Sequence, residues 1–377
     1  MTIVDLRFTI GTIQWEIHRL TPTLPTTNRQ PPTTNRQPPT TPMLSPSDLV
    51  RLPYTPDLTE GGIAYALRTL AYAFDREGRS PYERLRRVVA NVVVELAFRR
   101  YLAQQGIPFE VKAATPFTDR ERFDVVLEGR RCDLKSYLIS HREQIQQMRE
   151  NPAILLNAPA LVPSDSHAGD GHAYSDIYIF AFLSGLIAAS QADLQKAIEK
   201  KQPHYLINVL PLAWRKPLNW NPLGEVVLKS ESAEELIVEV NGQDEARKMK
   251  RKVVSLPPGV RVKLDEPFYS VTSLHVRRIP EARLGIRCET IPEAHIISPF
   301  DWGNIWVYGM DIFLAGHITH EEFGHQAVPL FPNAKTFQYE HTHVKNLSLS
   351  VSKLKPMSKL LGAPVAPPRL DETKPTT

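Results

Sequence analysis

Residues 122–137, RFDVVLEGRRCDLKSY, constrain the fold more than any other segment of the chain. Apolar residues occupy every second position from Phe123 to Leu127, which is the period of a β-strand. Beyond the EGRR turn the alternation resumes, so that Asp133 and Lys135 share one face of a second strand. The pattern predicts a β-hairpin.

The hairpin is predicted to bring another carboxylate, Asp124, close to Asp133 and Lys135 where the two strands diverge. Two carboxylates can hold a hard cation through oxygen. Such a cation binds a phosphate and activates a water nucleophile, and a lysine beside it can orient that water and offset the charge that develops on phosphorus. The trio therefore predicts metal-assisted hydrolysis of phosphodiester bonds, with Mg²⁺ as the cofactor and Mn²⁺ as a possible substitute.

A charged hairpin also has a simpler interpretation, because D-x-K is a common tripeptide and an exposed hairpin carries similar charges on its solvent face. The surrounding segments favour the functional interpretation. Residues 80–106 have the apolar spacing of a helix, and Glu95 in its apolar part would supply one more metal or water contact if it faced the hairpin. Two apolar runs, 174–183 and 205–210, have the character of buried strands.

This order of elements resembles the restriction-endonuclease-like superfamily, often called the PD-(D/E)XK nucleases. The core of that superfamily runs helix, three strands, helix, strand. The resemblance covers roughly residues 80–210. It assigns helices to 82–104 and 142–149, a first strand to 108–112 and a last strand to 176–183.

By this resemblance, Asp124 and Asp133 are metal ligands, Lys135 is the catalytic lysine, and Glu95 is an auxiliary acid that also contacts the metal. Phe123 stands where the name of the motif has a proline, a position that varies in such motifs. The resemblance implies a metal-dependent endonuclease acting on DNA, with a role in prokaryotic restriction or defence. The alternative is a non-catalytic nucleic-acid-binding or assembly protein that keeps the same scaffold.

The predicted fold class is α/β, with a restriction-endonuclease-like core, in which helices flank a mixed sheet, and a β-rich α+β C-terminal region. The core takes in residues 43–215, including an N-terminal helix at 59–74 and a helix at 191–200 that connects the two buried strands. The C-terminal region takes in 216–358. Its strand candidates are 226–228, 236–240, 260–264 and 271–276.

Both ends of the chain are predicted to be disordered tails. Residues 1–42 are rich in proline and threonine, and PTTNRQP occurs at 25–31 and again at 32–38. Such a segment cannot bury a core, and Met43 is a candidate for the natural start. The second tail is 359–377.

Composition narrows the choice of partners. The net charge of +4 excludes a generally basic nucleic-acid coat, although a nuclease can concentrate positive charge along one groove. Cys132 and Cys288 provide neither a disulfide framework nor a zinc cluster. The chain lacks an apolar run of membrane-spanning length and the apolar core of a secretory signal, which predicts a cytoplasmic protein without membrane contact. The expected partner is double-stranded DNA, and a homodimer is expected because a duplex break needs two antiparallel cuts.

The C-terminal segment 311–327 predicts a strand, a turn at Gly316, and a helix whose capping box joins Thr319 to Glu322. Five histidines crowd this part of the sequence: His317, His320, His325, His341 and His343. His341 and His343 are interpreted as polar surface residues, with a divalent-cation site on one strand face as the alternative. The zinc-protease motif H-E-x-x-H is excluded, because the second histidine is displaced by one residue and leaves the helix face that would share a zinc ion.

Two further segments are predicted to be irregular. Residues 151–173 carry little periodic signal and are interpreted as a mobile loop before a strand. Two histidines and two aspartates in that loop would suit a metal, but polar loop composition explains them more simply. The basic stretch 243–252 is interpreted as a solvated helix face or loop, with phosphate contact as the alternative.

Overall fold

Helices and strands alternate in the first half of the described chain, whereas strands dominate the second half. The computed structural model describes residues 44–71, 80–111, 125–169, 171 and 173–362, all within the unit Pro42–Thr377. The helices are α1 (Pro56–Thr69), α2 (Pro81–Gln104), α3 (Arg142–Glu150), α4 (Ser164–Gly169), α5 (Gln191–Glu199), α6 (Leu212–Arg215), α7 (His320–Gln326) and α8 (Ser358–Leu361). The strands are β1 (Val50–Leu52), β2 (Val125–Leu127), β3 (Arg130–Ile139), β4 (Pro159–Pro163), β5 (Ile177–Ile187), β6 (Leu206–Val209), β7 (Val227–Ser230), β8 (Leu236–Gln243), β9 (Met249–Leu256), β10 (Arg261–Lys263), β11 (Ser270–Val276), β12 (Leu284–Arg287), β13 (His295–Ile297), β14 (Gly303–Asn304), β15 (Val307–Thr319), β16 (Val328–Leu330) and β17 (Asn346–Ser350).

A mixed five-stranded sheet, in the order β1-β15-β5-β3-β2, contains the predicted hairpin. β3 and β5 are parallel, and the other neighbouring strands are antiparallel. The residues of β5 from Ile177 to Gly185 are buried without interruption, because other layers cover both faces of the sheet. The sheet and its flanking helices confirm a mixed α/β fold.

The two faces of this sheet belong to different cores. Cys132 of β3 and Ile179 of β5 pack with α1 and α2. Tyr137 of β3 and Phe180 of β5 pack instead with α3 and with the small sheet that contains β4. Because side chains alternate between the faces of a strand, the residues of β3 divide between these two cores.

The helices predicted from the sequence are present. α2 begins at Pro81, where the fixed φ of proline suits the first helical turn. α2, α3 and α5 match the helices predicted for 82–104, 142–149 and 191–200. α1 begins before the predicted residue 59, and residues 72–79 lie outside the described part of the chain.

The β2–β3 hairpin confirms the predicted strand pairing. A two-residue turn connects the strands, with φ values of 50° at Glu128 and 74° at Gly129. Two positive φ values are typical of a type I′ turn, whose twist suits a hairpin. The first strand, predicted at 108–112, is represented by a single bridge in which Glu110 and Val126 exchange backbone hydrogen bonds. The last residue of that predicted strand is not among the described residues.

The strand predicted at 205–210 forms as β6, but it does not join the sheet of β5. It pairs with β11 and β14 in a separate sheet of order β14-β6-β11-β8-β9. The place beside β5 is taken by β15, which comes from the predicted C-terminal region. The boundary predicted at residue 215 therefore divides three sheets, because strands from both sides of it pair in the sheets that contain β5, β6 and β4.

The second half of the chain is rich in strands, as predicted. A four-stranded antiparallel sheet, in the order β10-β7-β12-β13, shares a core with the sheet that contains β6. In the basic stretch 243–252, the loop interpretation is confirmed for 244–248, which connect β8 to β9, and is wrong for 249–252, which belong to the edge strand β9. Lys250 and Lys252 of β9 both form ion pairs with Glu266.

The interpretation of 151–173 as a loop is wrong for most of its length. The segment forms a 3₁₀ turn at Pro152–Asn157, the strand β4 and the helix α4. β4 pairs with β17 in the sheet β16-β17-β4. This pairing spans a long stretch of sequence and so has no local signature. Residues 170 and 172 lie outside the described residues.

The turn predicted at Gly316 is wrong, because β15 continues through it to Thr319. Gly316 lies at an irregularity in the pairing with β5, and a Cβ there would approach the backbone oxygen of Lys355 to 2.7 Å. The helix predicted next is α7. Its capping box is confirmed, since the amide of Glu322 donates to Thr319 Oγ1 at 3.2 Å and the amide of Thr319 donates to Glu322 Oε2 at 3.3 Å.

Among the helices of the described residues, none combines the length and the apolar character needed to cross a bilayer. Cys132 and Cys288 form no disulfide within the described residues, and each is buried in a different core.

Candidate functional site

Asp133 and Lys135 are neighbours on β3, as the alternation predicts. Lys135 Nζ lies 2.6 Å from Asp133 Oδ2. The two side chains are only 19% and 15% exposed, so the ion pair is largely withdrawn from solvent. A charge at this depth needs a partner, because an unpaired buried charge is costly. The structure therefore holds a carboxylate and an ammonium group together at one place on the sheet.

The Asp133–Lys135 pair lies on the face of β3 that is opposite to α2. In the parallel ladder, Asp133 pairs with Tyr178 and Lys135 with Phe180, both of which belong to the core of α3. Lys135 Nζ is 5.5 Å from the centre of the Tyr178 ring. This cation–π contact gives the ammonium group a second anchor besides the carboxylate.

Two histidines surround Tyr178. His167 of α4 and His320 of α7 are stacked, with ring centres 4.0 Å apart and an interplanar angle of 16°. His167 Nδ1 lies 3.2 Å from the Tyr178 hydroxyl, and His320 Nε2 donates to the carbonyl oxygen of His167 at 3.0 Å. These contacts link α7, late in the sequence, to Lys135 through Tyr178.

A second ion pair borders this cluster. Arg131 lies two positions before Asp133 on the same face of β3, and its Nη2 is 2.6 Å from Asp176 Oδ2. Asp176 also accepts a hydrogen bond from the amide of Ala173 at 2.7 Å, and its carbonyl oxygen accepts from the amide of His320 at 2.8 Å. Asp176 thus ties the start of β5 to β3 through its buried carboxylate and to α7 through its backbone carbonyl.

Glu95, the predicted auxiliary acid, lies on α2. This helix contacts the other face of β3, where the Ser136 hydroxyl donates to Asn91 Oδ1 at 3.0 Å. Glu95 pairs with Arg99 one turn along the helix. Burial raises the pKa of Glu95 above its ordinary value, although the Arg99 guanidinium opposes that shift. Asp133 and Lys135 are therefore brought together, whereas Glu95 packs on the α2 side of the sheet and its catalytic role stays a prediction.

Asp124, the other predicted metal ligand, lies outside the described residues. It immediately precedes Val125, which pairs with Cys132, the residue before Asp133. Within the described ranges, no three acidic, histidine or cysteine side chains form a group that could hold a metal ion. Mg²⁺ commonly binds through one or two carboxylates together with waters and substrate phosphates. Asp133 fits such an ion if Asp124 supplies the second carboxylate.

Neither the place of Tyr178 beside Lys135 nor the contact between His167 and His320 was predicted from the sequence. A signal for Tyr178 was available, since Asp176 and Tyr178 place polar groups at the start of an otherwise apolar strand. No local pattern connects the two histidines, which lie far apart in the chain and meet only because α4 and α7 both pack beside Tyr178.

No protein-family model, curated protein or solved structure matches this chain. Its function is therefore inferred from the side chains of the site. A fold alone does not identify a function, because one fold can carry many functions.

Proposed function

We propose that this protein is a metal-dependent endonuclease that hydrolyses phosphodiester bonds in DNA. The observation that carries the proposal is the partly desolvated contact of 2.6 Å between Lys135 and Asp133 on the hairpin strand β3. A metal-binding carboxylate and a cation that can stabilise a phosphate are both required for this chemistry, and here they are adjacent.

The order of the elements supports the proposal. The described chain runs through α2, the bridge at Glu110, the β2–β3 hairpin, α3 and β5. This order is compatible with the helix, three strands, helix, strand order of the PD-(D/E)XK nucleases, with a single bridge in place of the first strand and with β4 and α4 inserted before the last strand. The similar order of elements favours a nuclease, but the catalytic chemistry depends on the side chains of the site and not on the order alone.

In the proposed mechanism, Asp133 and Asp124 would hold Mg²⁺ or Mn²⁺. The bound ion would act as a Lewis acid toward the phosphate and acidify a coordinated water. Lys135 would orient the attacking water and offset the negative charge that develops on the phosphate oxygens. The ring of Tyr178 helps to hold the ammonium group in place without neutralising it.

The same proposal extends to assembly. One such site cuts one strand, and a duplex break needs two cuts of opposite polarity. A homodimer with two-fold symmetry would supply two matched sites for the two strands.

The test is plasmid nicking by site variants. Asp133→Asn and Lys135→Met each remove one charge with little change in side-chain volume. Each substitution is expected to lower Mg²⁺-dependent nicking of a supercoiled plasmid by roughly 10²–10³-fold, the usual loss when one electrostatic stabiliser is removed. Asp124→Asn is expected to cause a similar loss, since it would remove the second proposed ligand.

The chain provides a matched control. Asp265 and Lys252 form another aspartate–lysine ion pair, with a distance of 3.0 Å between Oδ1 and Nζ. Asp265→Asn and Lys252→Met should keep full nicking activity, and melting temperatures will show whether every variant is folded. Undiminished activity of both Asp133→Asn and Lys135→Met would refute the site. If the wild type binds DNA but never nicks it, the non-catalytic nucleic-acid-binding protein becomes the better interpretation.

A further inference from the structure

The outer face of the four-stranded sheet β10-β7-β12-β13 forms a basic groove with a volume of about 190 Å³. Its lining includes four basic side chains and one acidic side chain. The basic side chains are Lys229, Arg261, Arg283 and Arg287, and the acidic one is Glu231. This excess is notable in a chain whose total net charge is only +4.

The register of the strands explains how these charges come together. Lys229 of β7 pairs with Arg261 of β10 on one side and with Gly285 of β12 on the other. Two residues further along β12, Arg287 pairs with Val227 of β7. Gly285 has no side chain of its own, and the Ile296 side chain of β13 reaches its position, with Cδ1 3.2 Å from where a Cβ would lie. Lys229, Arg287 and Ile296 therefore line the groove around Gly285.

Three of the four cations in this groove form no ion pair with a carboxylate among the described residues. Among the ion pairs of the described residues, Arg283 binds Glu231 at 2.9 Å, whereas Lys229, Arg261 and Arg287 take part in none. All three of these side chains are exposed. The contrast with β9 is clear, because Arg251 and Lys252 of that strand bind Glu239 and Glu266.

Like charges directly opposite each other on neighbouring strands destabilise a sheet. Arg261 and Lys229 occupy such a position. An anion seated between them would convert this repulsion into two charge-assisted hydrogen bonds. The arrangement therefore suits a ligand that carries several negative charges at intervals.

We infer that this groove, named the β7–β12 groove, binds the phosphate backbone of duplex DNA. The choice of DNA over other polyanions rests on the proposed function. The preference for a duplex has its own support, because the groove lining contains no aromatic ring. Proteins that bind single strands commonly stack unpaired bases on aromatic side chains, whereas a duplex presents its phosphates without needing such a platform.

The experiment measures how the binding of a fluorescein-labelled duplex depends on salt, by fluorescence anisotropy of the full chain in EDTA. The groove variant is Lys229→Gln/Arg261→Gln. The matched control is Lys252→Gln/Arg251→Gln, which removes the same two charges from the edge strand β9. The groove variant should bind the duplex at least about tenfold more weakly at low salt. The slope of log affinity against log salt should fall by about 1.8, at roughly 0.9 for each lost phosphate contact.

The control variant should keep the affinity and the salt slope of the wild type. Equal losses in both variants would overturn the inference, since they would reflect net charge alone. Unchanged duplex binding by the groove variant would also overturn it. So would stronger binding to phosphatidylglycerol vesicles or to polyglutamate than to the duplex, because the occupant would then be a membrane or an acidic peptide.

Plasmid nicking distinguishes failure of this inference from failure of the proposed function. Duplex binding that requires Lys229 and Arg261, in a protein without any nicking activity, would support the groove and reject the nuclease. If nicking requires Lys135 but the groove variant binds the duplex as tightly as the wild type does, the nuclease is supported and the groove is rejected.

Discussion

At the residue scale, the most perturbed histidine of the described chain lies in β15. His317 is buried, and its Nδ1 has no hydrogen-bond partner among the described residues. Burial, together with the positive charges of Lys355 and Arg130, lowers the pKa of His317 to about 4, although Glu322 opposes this shift. The imidazole is therefore neutral in the folded protein under conditions in which an unfolded chain would already protonate it.

This difference predicts loss of stability in acid. An unfolded histidine titrates near 6.5, so below that pH the unfolded chain binds a proton that folded His317 does not. The contribution of neutral His317 to the free energy of unfolding is complete above pH 6.5. It is lost as the pH falls toward 4, and the total loss is roughly 3 kcal/mol. His317→Leu should flatten the fall in the free energy of unfolding between pH 7 and pH 5, measured with urea.

His343→Leu is the control, because it removes an exposed histidine by the same substitution. It should keep the pH dependence of the wild type. An unchanged pH dependence in His317→Leu would show that protonation of this residue does not limit stability in acid.

At the element scale, the β2–β3 hairpin carries Asp133 and Lys135, and the sequence of its turn differs from the one that a type I′ turn prefers. Glu128 adopts a φ of 50°, a left-handed conformation that is costly for most residues other than glycine and asparagine. Gly129 follows with a φ of 74° and tolerates its conformation without strain. Asparagine followed by glycine is the preferred pair for a type I′ turn.

Two substitutions in this turn should therefore act in opposite directions. Glu128→Asn should stabilise the protein by about 0.5 kcal/mol, because asparagine tolerates the left-handed conformation better than glutamate. Gly129→Ala should destabilise it by about 1 kcal/mol, through backbone strain alone, because nothing lies within 4 Å of the position of the added Cβ. Urea unfolding of the two variants provides the comparison, and a shift of both in the same direction would contradict the turn geometry.

At the scale of the whole molecule, structural contacts of the chain begin at Leu44 within the described residues. Leu44 is 5% exposed, and its amide donates to the carbonyl oxygen of Ser352 at 3.0 Å. Shortly after it, β1 pairs with β15 at the edge of the central sheet. Residues 1–42 have the composition of a segment that buries little surface.

Two deletions test where the folded unit starts. Removal of 1–42 should leave the melting temperature and plasmid nicking unchanged. Removal of 1–52 should lower the melting temperature clearly, since Leu44 and Leu52 are both buried and each contributes roughly 1.5–3 kcal/mol. A clear fall in melting temperature after the shorter deletion would show that the Pro/Thr repeat takes part in the fold.

Several elements could be predicted from the sequence because short-range rules determine them. The alternation on both sides of Glu128 and Gly129 indicated the hairpin, and with it the common face of Asp133 and Lys135. Helical spacing indicated α2, and the capping box at Thr319 indicated α7. In each case, residues within a few positions of one another contain the information.

The tertiary structure alone decided which strands are neighbours. It placed β15 beside β5, moved β6 to another sheet, and paired β4 with β17. It also stacked His167 on His320 and put Lys229 opposite Arg261. Contacts of this kind join residues that are far apart in the chain, and they form because the buried faces of whole elements must pack against each other. Local periodicity specifies which face of a strand is buried, but it does not specify the partner that covers it.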